Sequence, residues 1–210
     1  MRRISVLTTL LVIGVAVLGM AAAASANSIV TSVPTITPLG GGLFKWSYTL
    51  SIDSNQLIPV NSGTQPCTTT GSLGSATQCS FFTLFDIKGL TGTPTFASSI
   101  AGFTGTVTTP FTGPTAFNSS TPDSGAIPNI DVAFINGTGA SISGATLGTL
   151  TFDSTASGSA FGFFSAQADS TSNGFATGNQ GQVQEPRVPE PAALTLLPIG
   201  IAAVLLRRKR

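Results

Sequence analysis

The sequence has no histidine, only two cysteines, one Trp, one Tyr and two Met, and only 8% of its 210 residues are charged. Without histidine, neither a Ser-His-Asp triad nor a Cys-His pair can form. Two cysteines without histidine leave a zinc site incomplete. A charged fraction far below the ~25% of ordinary domains excludes a coiled coil and a charge-rich disordered chain. No Lys/Arg patch lies between the two ends, which argues against nucleic acid as a partner. No Gly-rich phosphate loop stands between a strand and a helix. Long amphipathic helical patterns are also missing from the interior of the chain.

What charge there is divides by position. Arg2 and Arg3 open the chain and Arg207-Arg208-Lys209-Arg210 close it. Between Asn27 and Pro189 stand Asp53, Asp86, Asp123, Asp131, Asp153, Asp169 and Glu185, against only Lys45, Lys88 and Arg187. A weakly acidic body between two basic, apolar ends is a topology signal.

Residues 1–26 read as a signal peptide that begins as a helix. Arg2-Arg3 are the positive start, Ile4 to Met20 the apolar run, and Ala24-Ser25-Ala26 a small-x-small cleavage site. Ala24 and Ala26 fit the narrow pockets of signal peptidase, so the mature chain is expected to begin at Asn27. An uncleaved N-terminal anchor is the competing reading.

At the other end stand Val188-Pro189-Glu190-Pro191, the apolar run Ala192 to Leu206, and Arg207 to Arg210. As a helix the 15-residue run spans ~22 Å, short of the ~30 Å hydrocarbon core. Pro198 would kink it. The four terminal cations favour a cytoplasmic C-terminus, with the body outside. This tail closely resembles the PEP-CTERM sorting signal, also known as the ice-binding protein C-terminal domain. The resemblance covers Pro189-Glu190-Pro191, the apolar run and the basic cluster, and the signal peptide agrees with it.

The resemblance implies a bacterial protein exported through the inner membrane, anchored as a precursor and cleaved near the PEP motif by an exosortase. It implies exopolysaccharide as a candidate partner and a final place on the cell surface or outside it. An ordinary single-span tail anchor is the alternative. The name carries nothing about what the body binds.

The body from Asn27 to Arg187 holds 49 Ser and Thr, 21 Gly and all 14 Phe. Aromatics at regular intervals give strands something to bury. Leu43 to Ile52 alternates Phe44, Trp46, Tyr48, Leu50 and Ile52 with polar residues, which predicts a half-buried strand. Ser80 to Ile87 reads as a strand buried on both faces. Gly102 to Thr109, Ile130 to Ile135, Thr146 to Phe152 and Ala160 to Ala168 are further strands. The separators are Gly40-Gly41-Gly42, Gly92-Thr93-Pro94, Pro122 to Gly125, Asn136-Gly137 and Asn173-Gly174. The expected fold is all-β, a β-sandwich or jelly roll over residues 27–180, flanked by the signal helix and a short C-terminal transmembrane helix. Residues 181–187 read as a last edge strand running out into a linker, and 188–210 as the sorting signal.

Cys67 and Cys79, 12 apart in an exported chain, are expected to form a disulfide. Closing that loop would add ~2–3 kcal/mol. Trp46 and Tyr48 share a face with apolar neighbours and are expected in the core rather than on a sugar. A carboxylate-pair hydrolase would need Asp123 with Asp131, or Asp153 with Asp169, to meet in space; turn or edge aspartates are the simpler reading. No DxDxDG-type loop supports calcium. Asn118-Ser119-Ser120 and Asn136-Gly137-Thr138 match the glycosylation sequon, read here as surface turns.

Thr-x-Thr recurs at Thr35/Thr37, Thr68/Thr70, Thr91/Thr93/Thr95, Thr104/Thr106/Thr108 and Thr149/Thr151. Such pairs face one way on a strand, and a flat array could bind ice or polysaccharide. Their irregular spacing favours ordinary wet-face threonine instead. The expectation is a non-catalytic surface or matrix protein without a cofactor. The alternative is a carbohydrate- or ice-binding module.

Overall fold

The alternation of Leu43 to Ile52 is realised as a strand with those bounds, Trp46, Tyr48, Leu50 and Ile52 buried on one face and Lys45 and Thr49 exposed on the other. The computed structural model describes residues 29–60, 80–113, 115 and 121–187. The signal peptide with Ala24, Ala26 and Asn27, the Cys67/Cys79 pair and the tail from Val188 to Arg210 lie outside the described residues.

Eleven strands and no helix occur among the described residues. In chain order they are β1 (Ile29–Thr31), β2 (Thr35–Gly40), β3 (Leu43–Ile52), β4 (Gln56–Leu57), β5 (Phe81–Leu84), β6 (Leu90–Ser98), β7 (Phe103–Thr108), β8 (Ile130–Asn136), β9 (Thr146–Ser154), β10 (Gly158–Ser170) and β11 (Ala176–Arg187). Every pairing is antiparallel. One sheet runs β1–β3–β9–β6, with β2 also on β3; the other runs β11–β10–β5–β8–β7, with β4 on β10. The two sheets enclose one apolar layer, as in a β-sandwich.

That layer is built from alternate residues of both sheets. Trp46, Tyr48, Leu50, Leu150 and Phe152 come from the first, and Phe82, Leu84, Ile130, Val132, Phe164 and Val183 from the second. Tyr48 stacks between Trp46 and Phe152, with ring centroids 6.5 and 5.7 Å away. Its hydroxyl donates to the Gln184 carbonyl at 2.8 Å, a bond between the two sheets. Trp46 Nε1 donates to the Ala156 carbonyl at 3.3 Å. Both polar handles are thus satisfied inside the core, as their burial requires. At the opposite edge Phe96 meets Phe103 and Phe134 edge-on.

Two expectations are corrected. The segment 181–187 is the edge strand it was read as, but not a linker. It is the second half of β11, paired with β10 from Gly181↔Phe164 to Arg187↔Gly158. The sandwich therefore extends through Arg187 instead of ending at 180. Pro186 misled the reading, but a proline is tolerated here because β11 is the edge of its sheet. Likewise Gly92-Thr93-Pro94 is no separator. It sits within β6, where the register to β9 shifts between Thr91 and Thr95. β6 is also an edge strand, so a bulge containing proline breaks no second ladder. The glycine turn is as expected: Gly41 and Gly42, with φ of 61° and 79°, take the left-handed conformations that join β2 to β3.

Candidate functional site

Burying one face of β3 turns Lys45, Ser47, Thr49 and Ser51 away from the core. The register then gathers hydroxyls from strands far apart in sequence. Thr35 pairs with Ser47, Ser47 with Thr151, and Thr151 with Thr95. The result is one row of four hydroxyl residues across β2, β3, β9 and β6. Thr95 Oγ1 and Thr151 Oγ1 lie 2.8 Å apart in a hydrogen bond. Flanking rows are Thr37–Lys45–Asp153–Thr91 and Thr49–Thr149–Ala97. Neighbouring rows repeat every ~6.7 Å along a strand and ~4.8 Å between strands.

Three of the five Thr-x-Thr recurrences therefore meet on one face. Thr104, Thr106 and Thr108 belong to β7 of the other sheet, and Thr68/Thr70 lie outside the described residues. The face carries two charged residues, Lys45 and Asp153, directly opposite one another. Its chemistry is that of a neutral, hydroxyl-bearing plane.

The carboxylates do not assemble a hydrolytic pair between Asp153 and Asp169. Asp153 is on β9 in the first sheet and Asp169 on β10 in the second, each on a residue that alternates with core positions and so points out of opposite faces. Asp123 accepts from Asn129 Nδ2 at 3.0 Å, while the Asn129 side-chain oxygen takes the Asp86 backbone N–H at 2.8 Å. Asp86 itself has φ 56° and accepts from the Ser124 N–H. These acids clamp the loop before β8. Among the described residues no group of three or more His, Cys, Asp or Glu is placed to hold a metal ion.

Two acids prove to be buried: Asp131, named above as a possible partner of Asp123, and Glu185, which the sequence did not single out. Asp131 lies in a polar row, Thr108–Asp131–Thr83–Ser165–Gln180, on the outer side of the second sheet. Described residues between β7 and β8 lie over this row: Gly113 approaches the Thr83 methyl, and Thr121 Oγ1 donates to Gln180 at 3.1 Å. Burial pushes the Asp131 carboxyl up to about 7, although the Thr83 hydroxyl donates to it at 2.7 Å and favours the charged form.

Glu185 faces the core from β11. Neither of its carboxylate oxygens has a hydrogen-bond partner among the described residues. Burial raises it to about 9, with Arg187 opposing the shift. Burial, and then the Glu185 charge, raise the Tyr48 hydroxyl well above its ordinary range. Asp169 is also raised by burial. No local pattern marks these acids, because their burial follows from pairing between strands.

Trp46 and Tyr48 lie in the core, as expected. Asn136 is a correction: it is no surface-turn acceptor but buried, its Nδ2 donating to the Ile58 and Ala140 carbonyls at 3.0 and 2.9 Å. Asn118 lies outside the described residues. No family model matches the chain, and neither does any curated protein or solved structure.

Proposed function

We propose that the chain is an exported, non-catalytic bacterial surface or matrix protein whose tail is a PEP-CTERM-type sorting signal. The observation that supports this reading is how near the last described strand comes to the motif. β11 stays paired to Arg187, and the next residues are Val188-Pro189-Glu190-Pro191. Removing everything beyond the motif leaves all eleven strands whole. In this reading signal peptidase cuts before Asn27, Ala192 to Leu206 inserts in the membrane, and Arg207 to Arg210 hold the C-terminus inside. An exosortase then cuts near Pro189 to Pro191. The Cys67–Cys79 disulfide belongs to the same oxidising compartment.

Intact mass and terminal sequencing of the protein from cells and medium test this. A product from Asn27 to about Pro189–Pro191 is expected. A product ending at Arg210 would make the chain a simple anchored ectodomain and remove the sorting reading.

The hydroxyl rows favour a second reading, a carbohydrate- or ice-binding module. A polar, nearly uncharged plane offers many donors and acceptors and little charge selectivity, which suits a neutral polysaccharide or an ice surface. Retention of the body on neutral polysaccharide, or inhibition of ice recrystallisation, would support it. Thr95→Leu with Thr151→Leu should abolish whichever is seen.

A further inference from the structure

The sequence holds two Asn-Gly pairs, Asn136-Gly137 and Asn173-Gly174. Such a pair can react with itself, because a glycine carries no Cβ to hinder its backbone nitrogen. That nitrogen loses its proton to hydroxide and bonds to the asparagine Cγ. The Cγ–Nδ2 bond breaks, and Nδ2 takes a proton from water and leaves as ammonia. Water then opens the five-membered imide. Attack at Cγ gives aspartate. Attack at the backbone carbonyl carbon gives isoaspartate, with the main chain rerouted through the side chain. One ammonia is lost and one water gained, with no change of oxidation state.

The two pairs are alike in most of what governs this chemistry. The Gly137 N–H donates to the Gly102 carbonyl at 2.9 Å, and the Gly174 N–H to the Ser170 carbonyl at 2.8 Å. Each asparagine Oδ1 accepts from the backbone N–H two residues on, Thr138 at 3.1 Å and Phe175 at 3.0 Å. That bond polarises the amide and lies where negative charge gathers on Oδ1 during the attack.

They differ at the leaving nitrogen. Asn136 is buried, and its Nδ2 donates to the carbonyls of Ile58 and Ala140. The Thr138 hydroxyl adds a second bond to its Oδ1 at 2.7 Å. Its Cγ therefore cannot turn toward Gly137 without breaking bonds in the interior, and its nitrogen is kept from the water that must protonate it. Asn173 stands exposed in the turn between β10 and β11, and among the described residues its Nδ2 donates to nothing. Gly174, at φ 69°, has nothing beyond its chain neighbours within 4 Å of where a Cβ would stand. Hydroxide and water reach this pair, and one hydrogen bond to Ser170 restrains the attacking nitrogen.

We propose that Asn173 is a site of spontaneous modification, converted through the imide to aspartate and isoaspartate in the folded protein, and that the fold holds Asn136 inert. The turn is closed by the Gly174 bond to Ser170 and by the Ser170 N–H to the Phe175 carbonyl at 2.9 Å. Thr171 donates from its backbone and its hydroxyl to the Asn55 carbonyl, both at 3.0 Å, which ties the turn to the residue before β4. Isoaspartate lengthens the main chain inside that closure and brings a carboxylate close in sequence to Asp169. This turn therefore loosens in the modified molecules, while the β10–β11 ladder leading to it stays paired.

The test incubates the full chain in mildly alkaline buffer, folded and in concentrated urea. Cleavage after Phe separates the two pairs into different peptides. Mass spectrometry follows the gain of about one dalton at each, and an isoaspartyl methyltransferase counts isoaspartate. In the folded protein Asn173 should convert at least about tenfold faster than Asn136, since Asn136 reacts only after a local opening. In urea the two rates should come within about threefold of each other. Asn173→Gln should remove the isoaspartate signal from the folded protein. Equal rates in the folded protein would overturn the proposal. So would an Asn173 that converts in urea but stays intact when folded, or the same selectivity in urea as in the fold.

Discussion

Glu185 sits where a glycine makes room for it. A Cβ at Gly162 would overlap the Glu185 carboxylate. Gly162→Ala should therefore destabilise the fold by about 1–3 kcal/mol. The loss should shrink when Glu185→Ala is made as well, a coupling that a double-mutant cycle on denaturant midpoints would measure. The sign of the pH effect follows from the raised acids. Asp131 at about 7 and Glu185 at about 9 hold their protons longer folded than unfolded. Their contribution is complete below the unfolded values near 4 and is lost as pH rises through 7 and 9. Asp131→Asn should flatten the stability profile between pH 4 and 7, removing a slope on the order of 2–3 kcal/mol across that window. Urea titrations at several pH values would check this; an unchanged slope would show that Asp131 is not the group responsible. None of this was legible in single residues. An aspartate flanked by Ile130 and Val132 looks like any edge aspartate until Thr83 is placed beside it and Gly113 and Thr121 are placed over the row.

At the level of elements, β3 and β5 were readable because burial imposes its own period on the sequence. β3 shows clean alternation, and β5 is apolar except for Thr83, with all four residues buried. β6 and the end of β11 were obscured by proline, a residue whose cost depends on whether its strand has one neighbour or two. That fact belongs to topology and appears nowhere in the local sequence. The consequence for β11 can be tested by truncation. A chain ending at Arg187 should melt with the same midpoint as one ending at Pro191. A chain ending at Gln180 should lose Val183 from the core and the Gln184 acceptor of Tyr48, and fall by several °C or fail to fold. Equal melting of all three would mean that the last seven residues of β11 contribute nothing. Trp46→Ala should cost about 3–5 kcal/mol, since a wholly buried ring leaves a cavity.

For the whole molecule, the hydroxyl plane was present in the sequence only as scattered pairs. Thr95 and Thr151 are 56 positions apart yet share a hydrogen bond. The spacing that argued against an array is irrelevant once β9 lies between β3 and β6. The same pairing has a consequence in time. Phe44 must wait for Ser154, so β3 is complete long before its main neighbour exists. At ~5–20 residues per second of synthesis, the 110 positions from Phe44 to Ser154 take roughly 5–20 s. Through that interval Trp46 and Tyr48 have only β1 and β2 beside them, and the half-made sheet offers its apolar face to whatever holds the growing chain.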